Sequence, residues 1–232
     1  MKNRRKSRSK TNAKRRVKPG KQIEMQGVSG WGGKRKGAGR KNLTKTVNHM
    51  KREAFDSKKP LQITVKLIDG LPNLRTKKMH DAFKKALVLA KAYGLRVLQY
   101  SLEKNHAHLV VECDSNQILG SAMKSFGSSF GKAVRKVAGG VGSVFKGRYH
   151  LSVLINPTKV RNSLKYVLLN RFKHENTPMD DNAFSSWRYF AYWPELLNRR
   201  RSAAWPDKFE LPEYLCAPKS WLAAKGWLKV PV

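Results

Sequence analysis

Acidic residues are scarce in this chain. Only 15 of its 232 residues are Asp or Glu, against 49 Lys and Arg, and the formal net charge is +34. Self-repulsion at that charge works against a compact state, so a polyanionic partner is expected, with nucleic acid first. A membrane surface is the second option, but no strong basic amphipathic helix stands out to lie on one. Cysteine is nearly absent as well. Cys113 and Cys216 are the only two, too few and too far apart for a disulfide framework or a zinc ribbon. The expected compartment is therefore a reducing cytoplasm, in association with the nucleoid. No apolar run approaches the roughly 20 residues needed to span a bilayer, so no membrane partner is expected, and no signal-peptide segment follows the basic N-terminus. The hydrophobic fraction of 40% is enough for a folded body.

Composition divides the chain. Residues 1–55 form a basic arm, nearly all Lys, Arg, Ser and Asn at its start, with almost nothing to bury. Within it, Gly30 to Asn42 alternates glycines with cations. That segment reads either as a flexible charged linker or as an arm lying in a DNA groove with Arg35 or Arg40 inserted. The folded region is expected over 60–175. Leu61, Ile63, Val65 and Leu67 alternate with polar residues, as in a half-buried strand. Thr76 to Tyr93 has helical spacing with Gly94 as its stop. Leu95–Leu102 and His106–Cys113 read as a hairpin of two strands. Asn116–Val137 reads as a helix, His150–Ile155 as a fourth strand, and Pro157 to about Lys173 as a third helix. The economical solution is a ferredoxin-like α+β sandwich, an antiparallel sheet with helices on one face. The extension 176–232 carries five tryptophans. At this density they are expected to pack on the core, with base stacking the less common use.

Two residue pairs carry the chemistry. His106 and His108 are two apart in a predicted strand, so both imidazoles leave one face and can converge on a metal ion. A His-x-His pair also arises by chance. Cys113 lies an odd number of residues from His106 and His108 is likewise odd-spaced from it, so it faces the other side and completes no zinc site. Tyr166 and Asn170 are four apart on a predicted helix, about 5–6 Å from each other. A phenol and a carboxamide there can meet one ion or phosphate, or the stretch can be a core stripe with Leu168 and Leu169. Spacing alone does not tie the two pairs together. Tyr149, beside His150, is a second candidate nucleophile. Lys146 and Arg148 are placed to neutralise phosphates.

The stretch Tyr100-Ser-Leu-Glu-Lys-Asn-His-Ala-His-Leu-Val-Val-Glu112 resembles the HUH motif of single-tyrosine transposases of the insertion-sequence-200-like group. Gly147-Arg-Tyr-His150, Asn156-Pro157 and Tyr166-Val-Leu-Leu-Asn170 resemble the second half of that domain, and the REP-associated tyrosine transposases look like the nearest subgroup. The resemblance covers about residues 60–175. It implies an HUH endonuclease fold, with His106, His108 and Asn170 as ligands of Mg²⁺ or Mn²⁺. It also implies Tyr166 as the nucleophile that forms a 5′-phosphotyrosine, and single-stranded hairpin DNA as substrate. Asn105 would shape the turn before the motif. Gln62 departs from the pattern, standing where close relatives are expected to carry His. Relatives include monomers and homodimers. Two other readings stay open, a domesticated non-catalytic DNA-binding regulator and an RNA-binding structural protein.

Overall fold

The computed structural model describes residues 52–140, 142–175, 183–192 and 210–230, with the side chains of 170–175 excepted. The elements run β1 (Leu61–Lys66), α1 (Lys77–Ala92), β2 (Arg96–Leu102), β3 (His106–Glu112), α2 (Asn116–Ala138), β4 (His150–Val153) and α3 (Pro157–Glu175). The four strands form one antiparallel sheet in the order β2-β3-β1-β4.

Local chemistry explains where the elements stop. Thr76 and Ser115 cap α1 and α2, each accepting a backbone N–H from three residues on. Gly94 ends the α1 turn at φ +89°, and a Cβ there would sit 2.9 Å from the Ile118 side chain, so only glycine fits. Gly139 closes α2 in the left-handed conformation. Pro157 opens α3, and Asn156 Oδ1 accepts the Lys159 N–H at 2.8 Å.

Alternation in the strands builds two cores. Leu61, Ile63 and Val65 of β1 and Leu109 and Val111 of β3 meet α1 and α2 on one face. There Phe83 makes edge contacts with Phe126 and Phe130 at 5.5 and 5.3 Å, worth about 1 kcal/mol per pair beyond area burial. The expectation of helices on one face holds for α1 and α2 but fails for α3. Val160, Leu164, Val167 and Leu168 pack with Leu98, Val110 and Leu154 in a separate core. The reason lies partly in β2. Its register with β3 shifts between Val97 and Gln99, and at this bulge Gln99 pairs with Val110 on the face that Leu98 already shares. A sheet with apolar residues on both faces needs cover on both.

The C-terminal extension completes that cover. Residues 184–186 run along the outer edge of β2, with Leu102 N–H to Phe184 O and Ser186 N–H to Tyr100 O, both 3.0 Å. Buried Glu112 accepts the backbone N–H groups of Lys219 and Ser220, at 2.8 and 2.7 Å. Ser220 then caps the short helix α4 (Trp221–Ala224), its Oγ accepting the Ala223 N–H. Trp227 is fully buried in the second core, as the tryptophan density suggests, whereas Trp221 is 54% exposed. Trp193 and Trp205 lie outside the described residues. Among the described residues no helix is long and apolar enough to cross a membrane.

Candidate active site

His106 and His108 project from β3 toward α3, on the face opposite α1 and α2. Their neighbour Val110, two residues further along, belongs to the second core, while the intervening Ala107 and Leu109 belong to the first. The two rings meet edge to face with centroids 4.7 Å apart. Tyr166 comes down from α3 onto the same spot. Its ring centroid is 4.8 Å from that of His108, and its hydroxyl lies 3.3 Å from His108 Nε2. The apolar stripe of α3 holds the helix in place. Val167 and Leu168 are fully buried while Tyr166 stays 44% exposed, so the phenol stands at the solvent margin of the stripe. The tie that spacing left open is therefore a direct contact.

Both imidazoles are steered from behind. Asn105 Oδ1 lies 2.9 Å from His106 Nδ1, and Thr64 Oγ1 lies 3.0 Å from His108 Nδ1. An amide oxygen only accepts, so His106 Nδ1 carries its proton. The Thr64 hydroxyl can either accept or donate, and where it accepts from His108 Nδ1–H each Nε2 keeps a lone pair. Burial pushes His106 below the ordinary imidazole range, and it holds His108 at about 4, with the neighbouring His106 adding to the effect. Both rings are then neutral near pH 7, the form that binds a cation or accepts a proton. Spacing had found the two histidines but not their partners. Thr64 sits on another strand, and its position depends on the β1–β3 register Thr64↔His108.

This donor set fits a divalent cation. Two neutral imidazoles, each fixed through Nδ1, offer Nε2 atoms on one side of the sheet. Among the described residues no group of three or more His, Cys, Asp or Glu could hold a metal, so among them a third protein ligand would be of another residue type. Asn170 is in α3, one turn beyond Tyr166, but its side chain lies outside the described residues. Cys113 is buried in the first core, away from the imidazoles.

The remaining candidates fall in different places. Tyr149 packs partly buried against the first core, stacked under the Arg52 guanidinium at 4.1 Å. Burial raises its pKa. It lies on the wrong side of the sheet to act beside the two histidines. Lys146 and Arg148 are exposed. Lys146 N–H bonds the carbonyl of Lys66 at 2.8 Å, and Lys66 is paired with His106, so Lys146 stands at the histidine end of the sheet. Its ammonium reaches Asp69 at 3.4 Å across an open surface, a pair that costs little to exchange for a phosphate. Gln62 pairs with Val110 and Ser152, which puts it on the imidazole face. Arg35 and Arg40 lie outside the described residues.

Neither the protein-family models nor the curated proteins give a match to this chain. Among solved structures, that of a REP-associated tyrosine transposase bound to a REP hairpin is similar, with a TM-score of 0.50 and 16% identity. The likeness covers 61% of this chain and 83% of the other. At that identity it speaks for the fold: a mixed α/β body with a four-stranded antiparallel sheet.

Proposed function

We propose that this chain is a DNA nicking and joining enzyme of the single-tyrosine transposase kind, built on a ferredoxin-like HUH endonuclease fold. The observation that carries the reading is the 3.3 Å approach of the Tyr166 hydroxyl to His108 Nε2, beside a second neutral imidazole. Support for DNA as the partner comes from the +34 charge and from the hairpin-bound transposase of similar fold.

Tyr166 is the proposed nucleophile. A phenol is a weak nucleophile near pH 7 unless something takes its proton. The phenolic oxygen would attack the scissile phosphorus in line. One O–P bond forms, the bond from phosphorus to the 3′ oxygen breaks, the phenol loses its proton and the departing 3′ oxygen gains one. The products are a 5′-phosphotyrosine and a free 3′-hydroxyl. The reverse attack by a second 3′-hydroxyl joins strands without a nucleotide cofactor. His106 and His108, with Asn170 as the third ligand that the resemblance implies, would hold Mg²⁺ or Mn²⁺, the imidazoles favouring Mn²⁺. When bound, the ion would withdraw charge from a non-bridging phosphate oxygen. Thr64 and Asn105 keep the two Nε2 lone pairs aimed at it. Lys146 and Arg148 would neutralise flanking phosphates.

The test is incubation with labelled single-stranded hairpin oligonucleotides and Mn²⁺, followed by a denaturing gel and mass measurement of the adduct. The expected result is a covalent adduct on Tyr166, lost in Tyr166→Phe with DNA binding retained. An adduct that persists in Tyr166→Phe overturns the nucleophile. Tight binding by the wild type with no adduct under any metal condition favours a domesticated, non-catalytic DNA-binding regulator instead.

A further inference from the structure

The sheet register places one polar row across all four strands. Ser101 of β2 pairs with His108 of β3, His108 with Thr64 of β1, and Thr64 with His150 of β4. Directly paired residues of antiparallel strands share a face. His150 therefore stands on the same face as the two site histidines, two strand spacings or roughly 10 Å from His108. It is exposed. The residues two along from this row extend the pattern. Gln62 and Lys66 flank Thr64 on β1, and Ser152 follows His150 on β4, paired with Gln62. Helix α3 covers this face through Leu98 and Val110 of β2 and β3 and through Leu154 just beyond β4. The β1 and β4 part is a strip of five polar side chains, Gln62, Thr64, Lys66, His150 and Ser152, none acidic, with Lys66 and His150 exposed.

We infer that this strip is a substrate subsite that carries the single-stranded DNA segment flanking the scissile phosphate, with His150 as a phosphate contact. The inference rests on the proposed DNA chemistry and names where the strand runs. A polar strip without carboxylates, on a chain of +34, is complementary to a polyanion. An imidazole N–H, a carboxamide, a hydroxyl and an ammonium are the donors that phosphate oxygens take. The strip begins at Thr64, which touches His108, so a strand laid along it continues without a break from the site. A buried structural role does not explain these residues. The opposite side of the same two strands, Leu61, Ile63, Leu151 and Val153, already supplies the core.

The experiment is fluorescence anisotropy with a labelled oligothymidylate in EDTA, which removes any contribution from a bound metal or from cleavage. His150→Ala should weaken binding about three- to tenfold, the worth of one phosphate hydrogen bond. His150→Gln, which keeps an N–H donor, should recover most of that loss. Lys66→Ala should flatten the dependence of log K on log salt by about 0.7. Lys132→Ala, an exposed cation on α2 across the sheet, serves as the control for general charge. The inference is overturned if His150→Ala binds like the wild type, if it loses no more than Lys132→Ala, or if His150→Gln is as weak as His150→Ala. Melting curves exclude misfolding as the cause. Because no adduct is measured, failure here leaves the nucleophile assignment standing, and failure of the adduct assay leaves this result readable.

Discussion

At the scale of single residues, the proposed site would depend on side chains that do no chemistry themselves. Thr64→Val removes the oxygen at His108 Nδ1 while keeping shape, so the ring loses the hydrogen bond that orients it. The expected result is a drop in Mn²⁺ affinity of about 10- to 100-fold, read by electron paramagnetic resonance or calorimetry, with Thr64→Ser close to wild type. A second histidine acts on stability. His80 Nε2 lies 2.7 Å from the Tyr100 hydroxyl, and burial lowers its pKa to about 4. The unfolded chain binds a proton there near pH 6.5, while the folded chain resists until about 4. Stability is therefore lost as pH falls through that window and is held above it. His80→Gln should flatten the decline by about 1 kcal/mol after allowance for the ring's partial exposure, measured by urea unfolding of metal-free protein. His108 has the same sign and steepens the same slope. The two histidines and the tyrosine stand out in the sequence through the resemblance that carries them, since a His-x-His pair also arises by chance and spacing alone does not tie it to Tyr166. Thr64 does not, since a threonine in a strand gains meaning only when the register puts it opposite His108.

At the scale of elements, the sequence pattern located all four strands and three helices to within a few residues, because β1, α1 and α2 carry one-sided apolar patterns and turn residues or Pro157 bound the rest. Periodicity states that a helix has a buried face but not which side of the sheet receives it, and α3 took the side that the sequence reading left bare. The β2 bulge has no mark in the sequence, since Leu98 and Gln99 read as ordinary alternation and only the pairing of Val97 with Val111 and of Gln99 with Val110 shows the extra residue. The extension is tied to the sheet by a contact with no sequence signature. The Glu112 carboxylate receives two backbone N–H groups and the Arg96 guanidinium at 3.4 Å. Glu112→Ala strands those donors and should cost about 1–3 kcal/mol. Hydrogen exchange should show the loss concentrated in residues 215–224, and faster exchange spread evenly over the sheet would contradict the anchoring role.

At the scale of the whole molecule, charge and connectivity set the behaviour. Seventeen of the 49 cations lie in the first fifty residues, ahead of the compact unit Lys51–Val232. A chain starting at Lys51 should keep its melting temperature yet bind single strands with a shallower salt dependence, each lost phosphate contact removing about 0.7 from the slope. An unchanged slope would mean the arm does not touch the nucleic acid. The placement of Tyr166 has a consequence for stoichiometry. The phenol and the imidazoles meet within one polypeptide, on a helix docked to its own sheet. If each subunit works with its own tyrosine, a mixture of Tyr166→Phe with His108→Ala subunits has no intact copy of the pair. Genetic complementation between the two variants should fail at every mixing ratio, and a single subunit should be sufficient to open a strand.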